Sequence, residues 1–146
     1  MMSKTKPFFT ETEEQQIVAA IQKAEKNTSG EIRVHIEPTF EGDVMDRAIA
    51  VFNDLKMFET DARNGVLFYV ATEAKQFVIL GDDGINEVVP DHFWETTKDK
   101  VINQFKQGQF AQGLIEGIEE AGNQLKTYFK YQSDDTNELS DQISKG

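Results

Sequence analysis

The segment from Gly65 to Ala71 constrains the fold more than any other, because its seven residues, Gly-Val-Leu-Phe-Tyr-Val-Ala, include no charged side chain. An unbroken apolar run of this length is typical of a central strand that is covered on both faces. The next strand is predicted from Gln76 to Leu80, after the short polar segment 72–75. So short a connection cannot cross over a sheet, and these two strands should therefore be antiparallel.

Amphipathic patterns before Gly65 predict two helices and a further strand. A capping box at Thr10 opens the first helix. The alternation of apolar and polar residues from 31 to 37 predicts a half-buried strand, with His35 on its polar face. A second helix is expected from Val44 to about Phe58. A strand, a helix and a strand in this order predict a parallel pair with a right-handed crossover.

The second half of the chain predicts two more helices and a tail. Pro90 and Asp91 should introduce one helix, and Gly108 should end it. Glycines recur inside the last helix, which indicates close packing against a neighbouring backbone. From about Tyr131 the chain is polar, acidic and aperiodic, which is typical of disorder.

These elements predict a Rossmann-like α/β fold, a three-layer sandwich in which a small mixed β-sheet is flanked by helices on both faces. The predicted domain covers residues 8–130, and residues 131–146 form the acidic tail that we expect to be disordered.

The composition excludes several classes of function. The chain has 15 basic and 26 acidic side chains, a net charge of -11, which argues against nucleic acids and anionic membranes as partners. It has no cysteine, which excludes thiolate catalysis and thiol-rich metal sites. No apolar run is long enough to span a bilayer or to act as a signal peptide, so we expect a cytoplasmic protein.

Two adjacent carboxylates, Asp82 and Asp83, follow the predicted strand that ends at Leu80, and Gly81 and Gly84 flank them. Glycines allow a tight turn and leave room around the carboxylates. Neighbouring carboxylates repel each other unless a cation or a basic group lies between them. This turn therefore needs either a divalent metal or an arginine. Oxygen ligands would favour Ca²⁺ or Mg²⁺.

The predicted topology brings further polar residues to the same edge of the sheet, because the ends of one antiparallel and two parallel strands meet there. The residues expected around this acidic rim are Glu31, Asp61, Arg63, Asn64, Asp82 and Asp83, and Asp91 follows after one short loop. Two interpretations stay open. The rim either binds a ligand, or Arg63 pairs with Glu31 or Asp82 in a structural ion pair and no ligand binds.

Four motifs, in this order along the chain, resemble the TPM-domain family, which takes its name from thylakoid-lumen, photosystem-associated and nematode receptor-modulator members. They are Ser29-Gly-Glu-Ile-Arg-Val-His-Ile36, then Thr60-x-x-Arg63-Asn64-Gly65-Val66-Leu67, then Gly81-Asp82-x-Gly84-Ile85 with Asp91 shortly after, and Phe105-x-x-Gly108-x-Phe110-x-x-Gly113-Leu114-x-x-Gly117-Ile118. The resemblance extends from about Thr10 to Phe129.

The resemblance implies a Rossmann-like sandwich that binds a divalent cation, often calcium, through carboxylates of the rim. The metal ligands that it implies are Asp82, Asp83 and Asp91. Glu31 and Asn64 would be further ligands, or would position the ligands through hydrogen bonds. Some family members are reported as acid phosphatases, and others assist the assembly or repair of membrane protein complexes.

Two functions therefore compete, and a third interpretation has no ligand. In a metal-dependent phosphatase, the metal would polarise a phosphorylated small molecule, Arg63 would stabilise the phosphoryl charge, and His92 would be a candidate base. In a non-catalytic module, the cation would order the rim loops so that a protein partner docks. In the third interpretation, the rim is only an ion-pair network.

Overall fold

A four-stranded mixed sheet forms the centre of the computed structural model, which describes residues 8–131 and 138–146. Its strands are β1 (Glu31–Glu37), β2 (Gly65–Ala71), β3 (Gln76–Gly81) and β4 (Ser144–Lys145). Their order in the sheet is β3-β2-β1-β4. The pair β1 and β2 is parallel and the pair β2 and β3 is antiparallel, which confirms both predicted pairings.

Helices cover both faces of this sheet. They are α1 (Glu11–Ala24), α2 (Val44–Asp54), α3 (Asp83–Asn86), α4 (Glu95–Lys106) and α5 (Phe110–Leu125). One apolar core joins α1, α4 and α5 to one face, and a second core joins α2 to the other. Every residue of β2 is buried between the two cores, as the apolar run predicts. The predicted α/β sandwich is therefore confirmed.

Two predicted helix boundaries are wrong, and left-handed backbone accompanies both. The helix α2 ends at Asp54 rather than near Phe58, and Lys56 beyond it has a φ of 54°. The helix predicted to follow Pro90 begins only at Glu95, because His92 has a φ of 65°. A left-handed residue cannot continue a right-handed helix.

The C-terminal residues 138–146 correct the prediction of a disordered tail for that part of the chain. Ser144 and Lys145 form β4, which pairs in parallel with β1 beside His35 and Ile36. The side chain of Leu139 is buried in the core under α2. Composition alone misses these contacts, because they depend on an open edge of β1 that exists only after folding. Residues 132–137 lie outside the described residues, and the domain boundary at 130 stays a prediction.

The glycines of α5 allow the close helix packing that the sequence predicts. A Cβ atom built on Gly117 would lie 2.4 Å from Cγ2 of Val101 in α4. A Cβ on Gly113 would lie 3.0 Å from the Val101 carbonyl oxygen, and one on Gly122 would lie 2.9 Å from Cβ of Ala24 in α1. The three glycines therefore let α5 approach both of its neighbouring helices.

The substitution Gly117→Ala should lower the free energy of unfolding by about 1–3 kcal/mol, because the new methyl group overlaps Val101. This loss should exceed the gain of roughly 1 kcal/mol in helix propensity. Urea denaturation measures the change. Asn123→Ala, at an exposed position of the same helix, is the matched control and should not destabilise the protein. Equal stability of Gly117→Ala and the unsubstituted protein would contradict this packing.

Candidate functional site

The acidic rim forms where β1 and β2 begin and β3 ends, as the topology predicts. Glu31 lies opposite Gly65 in the parallel pair, and Val66 lies opposite Gly81 in the antiparallel pair. The Glu31 N–H donates to the Asn64 carbonyl oxygen over 3.2 Å, and the Asp82 N–H donates to the Gly65 carbonyl oxygen over 2.9 Å. The segment before β2 therefore joins both halves of the rim.

Arg63 supplies the counter-charge of Asp82. Its Nε and Nη2 atoms donate to the two carboxylate oxygens of Asp82, each over 2.8 Å. The Asp82 side chain is buried, whereas 46% of the Arg63 side chain is exposed. The carboxylate of Asp83, the second of the two adjacent aspartates, lies 3.7 Å from Arg63 Nη2, and 78% of its side chain is exposed. One of the two predicted carboxylates is therefore neutralised by arginine, and the other faces solvent.

The turn that carries these carboxylates requires a glycine at position 84. The Gly84 N–H donates to the Arg63 carbonyl oxygen over 2.9 Å. A Cβ atom on this glycine would lie 2.1 Å from the Ala62 carbonyl oxygen, which is a severe clash. Asp82 also accepts a hydrogen bond from the Asp83 N–H at the start of α3, over 2.7 Å. The turn and the ion pair thus stabilise each other.

Glu31 is the other buried carboxylate of the rim, and one of its oxygens has no hydrogen-bond partner among the described residues. Its Oε1 accepts from the Leu139 N–H over 2.7 Å, and Oε2 is the unpaired atom. The side chain is only 4% exposed. Burial, opposed by hydrogen bonds from the backbone of Leu139 and Glu138, raises the pKa of Glu31 to about 7, and the nearby Glu138 carboxylate adds to this rise.

A second carboxyl pair, Glu25 and Asp141, lies beside β1 and was not predicted. Burial, and then a hydrogen bond with Asp141, raises the pKa of Glu25 to about 9. The Ile32 N–H donates to Glu25 Oε2 over 3.1 Å, and Asp141 Oδ1 is buried without a partner among the described residues. The sequence contains no signal for this pair, because it joins a helix end to a tail predicted to be disordered.

The remaining predicted rim residues do not converge on one point. Asn64 is buried, and its side-chain amide donates to the Ser29 carbonyl oxygen over 3.2 Å. Asp91 is exposed. His92 is also exposed, and its Nδ1 lies 3.0 Å from Glu95 Oε1. In residues 8–131 and 138–146, no three histidine or acidic side chains are grouped so that they could hold a metal ion. The five-residue ligand set stays a prediction.

A buried polar network beneath the opposite end of β1 was missed. The two Glu37 carboxylate oxygens accept hydrogen bonds from Arg47 over 2.8 Å each, and also from Tyr69. The imidazole of His35 links Glu37 to Ser144, with both distances at 2.9 Å. Hydrogen bonds, first from Arg47, lower the pKa of Glu37 to about 2 although burial opposes them. The alternation in β1 predicts a polar face, but that face is buried rather than solvated.

The fold and the rim define an α/β domain whose acidic edge follows a glycine-flanked turn, and comparison with known proteins gives its family. The model of the TPM domain matches residues 3–124. The chain therefore belongs to the TPM-domain family. No match is found among functionally curated proteins.

Solved structures confirm the fold. The chain is 59% identical to the BA42 protein of the psychrophilic bacterium Bizionia argentinensis, with a TM-score of 0.93 and coverage of 99% of this chain and 100% of that one. The N-terminal domain of a P. gingivalis protein matches at 16% identity and a TM-score of 0.70, with coverage of 85% of this chain and 82% of that one. The N-terminal domain of the cg2496 protein from Corynebacterium glutamicum matches at 15% identity and a TM-score of 0.63, with coverage of 98% of this chain and 93% of that one. The latter two show the fold alone.

No helix within the described ranges has both the length and the apolar character needed to cross a bilayer.

The stability of the protein should fall as the pH rises from about 5 to about 8. Folding raises the pKa of Glu25 and Glu31 above the unfolded value near 4.3. Their contribution is therefore complete below the unfolded pKa, and it is lost as the pH rises through about 7 and then about 9. The free energy of unfolding should decrease by several kcal/mol over this range, because one pKa unit corresponds to about 1.4 kcal/mol. Thermal melts at several pH values measure it.

The substitution Glu31→Gln should flatten this pH dependence, because glutamine keeps the side-chain oxygen and does not titrate. Glu119→Gln, at an exposed position of α5, is the matched control and should keep the slope of the unsubstituted protein. An unchanged slope in Glu31→Gln would show that Glu31 does not titrate in this range.

Proposed function

We propose that this chain is a divalent-cation-binding TPM domain that acts as a non-catalytic interaction module, and that the cation binds at the acidic rim. The observation that carries the proposal is the Glu31 carboxylate, which is buried and has one oxygen without a hydrogen-bond partner among the described residues. A buried ionised carboxylate is unfavourable unless a proton or a cation neutralises it. A cation at the unpaired oxygen would supply that charge at neutral pH.

The donors at the rim suit Ca²⁺ or Mg²⁺. Both ions prefer carboxylate, carbonyl and water oxygens, and Ca²⁺ accepts irregular geometry. Glu138 lies close enough to act on the Glu31 carboxylate, and its own Oε2 accepts from the Asp61 N–H over 3.2 Å. Carbonyl oxygens and water would complete the shell. With so few carboxylates we expect weak binding, in the range of about 10⁻⁴–10⁻³ M that is typical of extracellular calcium modules.

The Arg63–Asp82 pair favours Asp83 over Asp82 as a cation ligand in the turn. Both Asp82 oxygens already accept charge-assisted hydrogen bonds from the guanidinium. A cation at Asp82 would have to displace them, and removing one partner of such a pair is costly. Asp83 makes only a long contact of 3.7 Å to Arg63 and is largely exposed. Asp82 would then hold the turn in place while Asp83 binds.

Binding at the rim would couple the cation to the C-terminal segment 138–146. Glu31 accepts its hydrogen bond from Leu139, and Glu138 reaches the segment before β2. A cation that neutralises Glu31 and Glu138 would favour the packed position of this segment, because their mutual repulsion would disappear. The rim loops would then present a single ordered surface to a protein partner.

Titration with CaCl₂ and MgCl₂, followed through amide chemical shifts, should give saturable shifts at Glu31, at Leu139 and in the turn at Asp83. The cation should also raise the melting temperature, because it binds the folded state. Glu31→Gln should weaken binding about tenfold or more, Asp83→Asn should weaken it less, and Glu119→Gln should leave it unchanged. Shifts that are absent at about 10 mM of either ion would contradict cation binding.

The same protein samples separate the module from a metal-dependent phosphatase. Release of phosphate from p-nitrophenyl phosphate that stops with a chelator and in Arg63→Gln would favour the phosphatase. Cation binding without such release would favour the interaction module. If neither occurs and Arg63→Gln only lowers the melting temperature, then the rim is an ion-pair network.

A further inference from the structure

An open pocket of about 600 Å³ lies at the end of the sheet opposite to the acidic rim. It forms where β2 ends and β3 begins, and α4 runs along its side. Pockets of about 300–1,000 Å³ are typical of small-molecule sites. Within residues 8–131 and 138–146, this pocket and the rim share no residue.

Aromatic side chains form the apolar part of the pocket. The ring centroids of Phe77 and Phe105 are 5.7 Å apart, those of Phe105 and Phe110 are 5.3 Å apart, and those of Phe110 and Phe8 are 5.2 Å apart. Phe8 and Phe110 are 43% and 38% exposed. A contiguous exposed aromatic patch on a protein surface is commonly a binding surface.

The polar part of the pocket is basic in a chain that is strongly acidic. Lys75, Lys98 and Lys106 line it, and none of the described residues that line it is Asp or Glu. The whole chain has 26 acidic and 15 basic side chains, so such a surface is unusual for this protein. Among the described residues, the ion pairs made by lysine involve Lys100 and Lys145, and none involves these three.

The basic and apolar groups alternate along one face of α4. Lys98, Ile102 and Lys106 are four residues apart, and this spacing places them on the same side of a helix. The helix therefore presents an apolar side chain between two positive charges, in the same pocket that Phe77 and Phe105 line.

We propose that this pocket binds a small amphipathic anion, a carboxylate with an alkyl or aryl body. The apolar body lies against Phe77, Phe105 and Phe110, and the carboxylate lies between Lys98 and Lys106. Burial of the body provides most of the binding free energy, at about 25 cal/mol for each Å² of apolar surface. The lysines provide the selectivity for a negative charge.

A free small molecule fits this pocket better than the surface of an anionic bilayer. A concave site encloses a single ligand, whereas a membrane needs a convex or flat face. The net charge of -11 also repels an anionic membrane over the remaining surface.

Titration of the full chain with sodium decanoate, kept below its micelle concentration and followed through amide chemical shifts, tests the proposal. Shifts should saturate and should concentrate at Phe77, at Phe110 and along α4 between Lys98 and Lys106. Decyltrimethylammonium has the same chain length and the opposite charge, and it should bind at least about tenfold more weakly.

Two double variants, each of which removes two positive charges, distinguish binding in the pocket from a general effect of net charge. Lys98→Gln/Lys106→Gln should weaken decanoate binding about tenfold, since it removes two partly exposed charge interactions. Lys23→Gln/Lys126→Gln changes two exposed lysines outside the pocket and should leave binding unchanged. Ile102→Trp should block the pocket, and its melting temperature confirms that it folds.

Equal binding of decanoate and decyltrimethylammonium would overturn the proposal. So would an equal loss of affinity in both double variants, or shifts that map outside the pocket. Sedimentation with vesicles of phosphatidylglycerol and phosphatidylcholine tests the alternative source of the anion. Binding to these vesicles without saturable binding of free decanoate would also overturn it. Decanoate binding should persist in Glu31→Gln, which separates this site from the rim.

Discussion

The burial of β2 on both faces organises the sheet, the two cores and the loops at each end of the sheet. Its seven residues are all buried, and it pairs with β1 on one side and with β3 on the other. Alternate side chains of β2 therefore enter two separate cores, one under α1, α4 and α5 and one under α2. Burial of apolar side chains contributes about 25 cal/mol per Å² to stability, and this strand contributes to both cores. Its position also determines which loops meet at each end of the sheet.

The polar face of β1 sets a second requirement, because it is buried where a solvated face was expected. The negative charge of Glu37 is stabilised by its hydrogen bonds with Arg47, Tyr69 and His35. Burial raises the pKa values of Glu31 and Glu25 instead, and neighbouring carboxyl groups add to the rise. The C-terminal segment 138–146 contributes to each of these environments. The packing of this segment and the protonation of Glu31 and Glu25 are therefore linked.

The two ends of the sheet differ in chemistry. At the rim, Arg63 pairs closely with Asp82 and contacts Asp83 only over 3.7 Å, while one oxygen of Glu31 has no hydrogen-bond partner among the described residues. At the opposite end, three lysines line an aromatic pocket, and no carboxylate in the described part of the chain lines it. The rim and the pocket lie at opposite ends of the same strands. A cation at the rim and an anion in the pocket would therefore bind without competing.

The amino-acid pattern alone predicts the strand pairing, the sandwich, the close packing of the α5 glycines, and an edge where Glu31, Arg63, Asn64 and Asp82 meet. Each of these follows from local periodicity and short connections, which a single chain records directly. The folded chain is needed to show that Arg63 binds Asp82 rather than Glu31, that Glu25 contacts Asp141, and that residues 138–146 pack against β1. These contacts join residues that are far apart in sequence, and their energies depend on burial and distance, which no periodic pattern records.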